Sequence, residues 1–138
     1  MKYKILISIV LVAVILISGC TSSTDNAKVN NLANCLVEKG VVEYGAFWCP
    51  NCAKQEKLFG RSFSVMKDKV YIECDPRCDV ADINDLPSAC RDKIGQPRLC
   101  IEKKINAYPT WDFPNGKRLV GVQDLNSLAD EAGCEFNE

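Results

Sequence analysis

One short stretch constrains this chain more than any other: Tyr44-Gly45-Ala46-Phe47-Trp48-Cys49-Pro50-Asn51-Cys52. Apolar and aromatic residues run from Val41 to Trp48, broken by Glu43, and read as a buried strand. A helical pattern follows from Pro50. Proline is favoured at the first helical position, where its missing N–H had no partner anyway. Cys49 is therefore expected at a helix N-cap, with Cys52 one turn inside. The partial positive charge of a helix N-terminus favours a thiolate, which makes Cys49 the attacking sulfur. Cys52 is close enough to close a disulfide onto it. A redox-active disulfide needs no other cofactor for dithiol–disulfide exchange. Half a zinc site has the same spacing. With no histidine in the chain, zinc would need cysteines alone or a carboxylate. A purely structural bridge over so short a loop removes little chain entropy. The strand–Trp-Cys-Pro-x-Cys–helix context favours the redox reading, with no resident metal.

Residues 1–19 read as a targeting segment. Lys2 and Lys4 precede an apolar run from Ile5 to Ile17, short for a membrane span but suited to a signal peptide. Ile17-Ser18-Gly19-Cys20 resembles the bacterial lipoprotein signal, which implies lipidation at Cys20; an uncleaved signal anchor is the alternative. Either places the rest outside the cytoplasmic membrane, on its extracytoplasmic face and tethered to it. Residues 20–30 then hold the lipidated cysteine and a polar, flexible tether. Residues 31–138 are one domain's worth of chain. The sequence carries 17 Lys and Arg against 18 Asp and Glu, so no excess of positive charge points to nucleic acid. A monomer is expected.

Nine cysteines are present. If Cys20 carries lipid, an even set remains, which in an exported chain reads as a disulfide framework. Asn30 or Asn31 can cap a helix from Leu32 to Lys39, with Gly40 as its stop. Glu43 lies inside the first strand, six positions before Cys49. It is either a strand-end acid reaching water or a buried base that takes the proton from Cys52. The helix from Pro50 runs to about Phe63 with a break at Gly60, and Ala53, Leu58, Phe59 and Phe63 can face the core. Val70 to Cys74 is a second strand, and strand–helix–strand of this length implies a parallel crossover.

Asp75 to Gln96 is irregular. Cys74, Cys78, Cys90 and Cys100 could form a metal cluster, but in an oxidising compartment two disulfides are favoured: Cys74–Cys100, and Cys78–Cys90 stapling an insertion with little core of its own. The aspartates of this stretch lack calcium-ligand spacing. Arg98 to Ile105 reads as a short helix. Pro109 opens a strand, Thr110 to Phe113. Pro114-Asn115-Gly116-Lys117 turns it into a hairpin with Lys117 to Val120. Asp124 caps a last helix, Leu125 to Ala132, with Leu125, Leu128, Ala129 and Ala132 inward, and Gly133 ends it. Cys134 is left to pair with Cys35.

The element order, with the dithiol at the end of the first strand, resembles the thioredoxin fold: α/β, a central mixed four-stranded sheet flanked by helices, here with a disulfide-stapled insertion. The similarity is closer to one branch, the thioredoxin-like domain fused to, or partnered with, bacterial and archaeal vitamin K epoxide reductase homologues. Tyr44 to Cys52, Leu58-Phe59-Gly60, Tyr71-Ile72-Glu73-Cys74, Tyr108-Pro109-Thr110-Trp111 and Gly121 to Gly133 carry the similarity. The resemblance implies Cys49 as exposed nucleophile, Cys52 as resolving thiol, and Pro109 as the cis-proline facing them. Tyr108 would stand beside Pro109, where backbone can pair with an extended substrate. Trp48, Pro50 and Asn51 would share that substrate surface. Cys74 and Cys100 match a structural disulfide of the family, and Glu43 coincides with the buried acid of thioredoxins and of DsbA oxidases. Asn51 departs from the histidine common in the oxidase motif, and the Cys78–Cys90 insertion is extra. No multi-helix quinone-binding region is present, so reoxidation would need a separate membrane partner of the vitamin K epoxide reductase type.

The expected function is a membrane-tethered thiol–disulfide oxidoreductase acting on exported cysteine-containing proteins. Two alternatives stand beside it. One is a reductase or isomerase fed by a membrane thiol carrier. The other is a non-enzymatic lipoprotein holding Cu(I) or zinc through Cys49 and Cys52.

Overall fold

The structure, a computed structural model, describes residues 22–80, 82, 84–91 and 93–136. Residues 1–19 and Cys20, on which the export and lipidation expectations rest, lie outside the described residues. Helix α1 spans Ser22–Lys39. Strand β1 (Val42–Gly45) leads into α2 (Pro50–Phe59). A 3-10 turn at Gly60–Ser62 joins α2 to the short α3 (Phe63–Met66). Then come β2 (Tyr71–Glu73), the two-residue β3 (Ile94–Gly95) and α4 (Pro97–Glu102). Strands β4 (Thr110–Asp112) and β5 (Arg118–Val120) precede α5 (Leu125–Ala132).

The sheet order is β3-β2-β1-β4-β5. β1 and β2 are parallel, joined by the α2 crossover, with Glu43 opposite Tyr71. β4 runs antiparallel to β1 and sets Trp111 opposite Glu43. β5 returns beside β4 as a hairpin. Helices flank this mixed sheet, and the arrangement is a thioredoxin-like fold. Its four longer strands are those expected; β3 adds a fifth at the edge, parallel to β2.

Side chains alternate across a strand, so each face of the sheet has its own core. On one face α1, α2, α3 and α5 bury Leu32, Leu36, Phe59, Phe63, Met66, Tyr71, Trp111 and Leu128. On the other, Tyr44, Ile72, Cys74 and Cys100 pack together beneath α4. Cys74–Cys100 thus ties β2 to α4. Cys78–Cys90 closes the insertion on itself, and Cys35–Cys134 joins α1 to the residues after α5.

Two expectations need correction. The segment read as a flexible tether is helical from Ser22 onward, so Asn30 and Asn31, expected to cap a helix starting at Leu32, lie inside that helix. No Gly or Pro interrupts Ser22–Lys39, Asp25 sits favourably in the first turn, and Leu32, Ala33 and Leu36 anchor the helix to the core. Ala53 and Leu58, assigned to the core, are exposed. The buried positions of α2 are Cys52, Gln55 and Phe59, one stripe at helical spacing that places a polar amide inside. Among the described residues no helix is long and apolar enough to cross a membrane.

Candidate active site

The site forms where β1 ends and α2 begins. Cys49 is the N-cap of α2, with extended backbone at φ −77° and ψ 120°, and Pro50 opens the helix. Cys49, expected as an exposed nucleophile, is buried with only 8% of its surface accessible, and Cys52 behind it is buried as well. Both are free thiols, whereas Cys35, Cys74, Cys78, Cys90, Cys100 and Cys134 are paired. The thiol of Cys49 donates to the carbonyl oxygen of Tyr108 at 3.7 Å, across the cis Tyr108–Pro109 peptide bond. The structure therefore brings Cys49, Cys52, Tyr108 and Pro109 together from positions far apart in sequence.

Trp48, 56% exposed, stands beside the dithiol. Its ring meets Tyr108 edge to face at 6.2 Å. Its indole Nε1–H donates to Asp75 Oδ2 at 2.6 Å. The Arg77 guanidinium grips the same carboxylate at 2.8 and 2.9 Å and covers the Phe47 ring at 4.8 Å. Hydrogen bonds from Arg77 and Trp48 hold the Asp75 carboxyl well below the usual range, so it is a fixed anion. Pro50 and Asn51 are exposed on the rim.

Beneath the dithiol lies an acid-rich interior. Glu43 is fully buried, and neither carboxylate oxygen has a hydrogen-bond partner among the described residues. Burial pushes its carboxyl well above the ordinary value; Glu56 and Cys49 add to this and Lys93 opposes it. Burial also pushes the Cys52 thiol far up, with the neighbouring Cys49 adding to the rise. A thiol so reluctant to ionise needs a base before it can attack, and negative charge on Glu43 would raise it further.

A second buried acid, Glu73, lies one strand over. The Tyr71 hydroxyl donates to Glu73 Oε2 at 3.1 Å, and the Asp75 amide donates to Oε1 at 3.0 Å. Burial raises the Glu73 carboxyl as well. Gly45 shows how tightly this region is packed: a methyl there would lie 2.7 Å from the Tyr71 hydroxyl and 3.0 Å from Cys52 Sγ. Lys93, from the insertion, places its ammonium 4.4 Å from the Tyr71 ring centre and 3.1 Å from Glu56 Oε1. Reasoning from sequence did not single out Gln55, Tyr71, Glu73, Asp75 or Lys93 as functional. The acid inside the apolar Val70–Cys74 run carried the same signal as Glu43; Lys93 carried none, because the fold alone brings it there. Among the described residues no group of three or more Cys, Asp or Glu side chains is arranged to hold a metal ion.

No family model matches the chain. It is similar to the thiol-disulfide oxidoreductase LTO1 of Arabidopsis thaliana, with 30% identity over 117 residues. That alignment covers 85% of this chain and 27% of the relative, so the chain spans about a quarter of the length of the curated protein it matches. The similarity takes in a domain that carries a helix-capping Cys49, a buried Cys52 and a cis-proline across from them, on a thioredoxin-like fold.

Proposed function

We propose that this chain is a thiol–disulfide oxidoreductase working through the Cys49–Cys52 pair. One observation carries the reading. A helix-capping thiol faces the backbone of a cis-proline loop, with a second, buried thiol one turn behind it. The name of the plant relative points the same way.

In the oxidising direction a substrate thiolate attacks Cys49 Sγ of the Cys49–Cys52 disulfide. The intramolecular S–S bond breaks as the mixed disulfide forms, and Cys52 leaves with the electron pair and takes up a proton. A second substrate thiolate attacks the substrate sulfur of the mixed disulfide and expels the Cys49 thiolate. The substrate loses two electrons and the pair gains them. When Cys52 attacks Cys49 Sγ of the mixed disulfide instead, its proton goes to the ionised form of Glu43, and the substrate leaves as a thiolate that takes a proton from water. The peptide lies extended between Trp48, Pro50 and Asn51 on one side and Tyr108–Pro109 on the other, pairing with the loop backbone.

We place this activity on the extracytoplasmic face of the membrane, with exported proteins as substrates. A membrane partner of the vitamin K epoxide reductase type would restore the disulfide. Three structural disulfides in so small a domain favour an oxidising compartment. Replacing Cys52 with Ser will trap substrates on Cys49 as mixed disulfides, visible as dithiothreitol-sensitive adducts on non-reducing gels. Cys49→Ser will trap none. Equal trapping by both variants, or by neither, would remove the proposal.

A further inference from the structure

Gln55 has no part in the exchange chemistry, yet it is one of the largest fully buried side chains. A buried amide costs free energy unless it is bonded. Gln55 spends both of its polar atoms on one residue 68 positions away. Nε2 donates to the carbonyl oxygen of Gln123 at 3.0 Å, and Oε1 accepts the Gln123 amide at 2.8 Å. The Gln123 side chain in turn donates to the carbonyls of Val120 and Gly121, both at 3.1 Å, closing the turn after β5. The Gly121 amide then donates to the carbonyl of Pro109 at 2.8 Å. Tyr108, next to it, accepts from Cys49. A continuous set of hydrogen bonds thus leaves the helix that carries both thiols, crosses the segment 121–123, and returns to Cys49 through the cis-proline loop.

We propose that Gln55 is a positioning residue: it latches the segment 121–123 to α2 and so fixes the gap between Cys49 and the Tyr108–Pro109 backbone in which a cysteine-containing peptide is held. The latch rests on the exchange reading for its substrate and stands on its own for its geometry. Its mark is a loss of peptide binding without a loss of thiol reactivity.

The test uses the full-length protein with Gln55→Leu, which keeps the bulk, and Gln55→Glu, which keeps the acceptor and loses the donor. Three quantities are read: KM and kcat for exchange with a short cysteine-containing peptide, the rate of Cys49 alkylation by iodoacetamide, and hydrogen exchange at the Gly121 and Gln123 amides. Losing the latch should raise KM about tenfold in Gln55→Leu and less in Gln55→Glu, while kcat and alkylation stay within about twofold. Both amides should exchange faster. Peptide and alkylation rates that fall together, or an unchanged KM, would overturn the proposal. Should Gln55→Leu fail to fold, Gln55→Glu carries the same division. Should the wild-type protein prove inert toward the peptide, the exchange reading fails separately. Amide exchange then decides the latch, since unchanged protection at Gly121 and Gln123 would overturn it.

Discussion

Glu43 is held in a state that its surroundings penalise. It lies opposite Trp111, whose indole nitrogen is also buried and unpaired among the described residues. A carboxyl raised by burial favours the folded protein while it is protonated. That contribution is complete below the ordinary glutamate range and is lost as pH rises through the elevated folded value. Glu43→Gln should therefore match the wild type in acid and become the more stable of the two as pH rises, by about 1–3 kcal/mol. Urea unfolding across that range will measure the gap; a gap independent of pH would contradict the assignment. The same variant should slow Cys52-dependent release of a mixed disulfide, the outcome expected of a residue kept for chemistry at a cost in stability. Its place in an apolar strand was legible from sequence, because an acid there has few bland explanations. Its lack of a hydrogen-bond partner among the described residues was not, since that depends on Trp111 and Tyr71 standing opposite it on the neighbouring strands.

At the scale of elements, the strands with apolar runs and the last helix with its cap were readable; the start of α1 was not. Asp124 accepts from the Ser127 amide at 2.8 Å, and Gly133 adopts φ 67° where α5 stops. The hairpin turn appears where Pro114-Asn115-Gly116-Lys117 marks it. β3 was not readable, because two residues have no period. It exists because the insertion, closed by Cys78–Cys90, returns along β2. Gly95 is the condition for that return: a methyl there would collide with the carbonyl oxygen of Cys78, against backbone that has no rotamer to change. Gly95→Ala should cost about 1–3 kcal/mol and loosen the insertion. Loss of the Lys93–Glu56 ion pair would accompany it. Limited proteolysis within 79–92 will report the loosening, and a cleavage pattern like that of the wild type would contradict it. Gln55 was missed for a related reason: apolar spacing marks the buried stripe of a helix, and a glutamine in that stripe reads as solvent-facing until its distant partner is known.

For the whole molecule, the disulfides divide by reach. Cys35–Cys134 spans a separation of 99 residues and joins the first helix to the end of the last. Cys78–Cys90 spans 12 and acts within the insertion. On chain entropy, removing the long bridge by paired Cys→Ala substitution should cost about 4–5 kcal/mol, against about 3 for the short one. Chemical denaturation of the two double variants will rank them. A short bridge that mattered more would mean that the insertion, not the closure of the chain, limits stability.

Passing disulfides to other proteins requires Cys49 and Cys52 to act as one reversible two-electron couple. The most direct test is equilibration of the full-length protein against glutathione, with alkylation of free thiols as the readout. A single transition is expected near the oxidising end, about −120 to −180 mV, that disappears in Cys49→Ser. A transition near −270 mV would reverse the direction of electron flow. No transition at all, or one that survives in Cys49→Ser, would contradict such a couple.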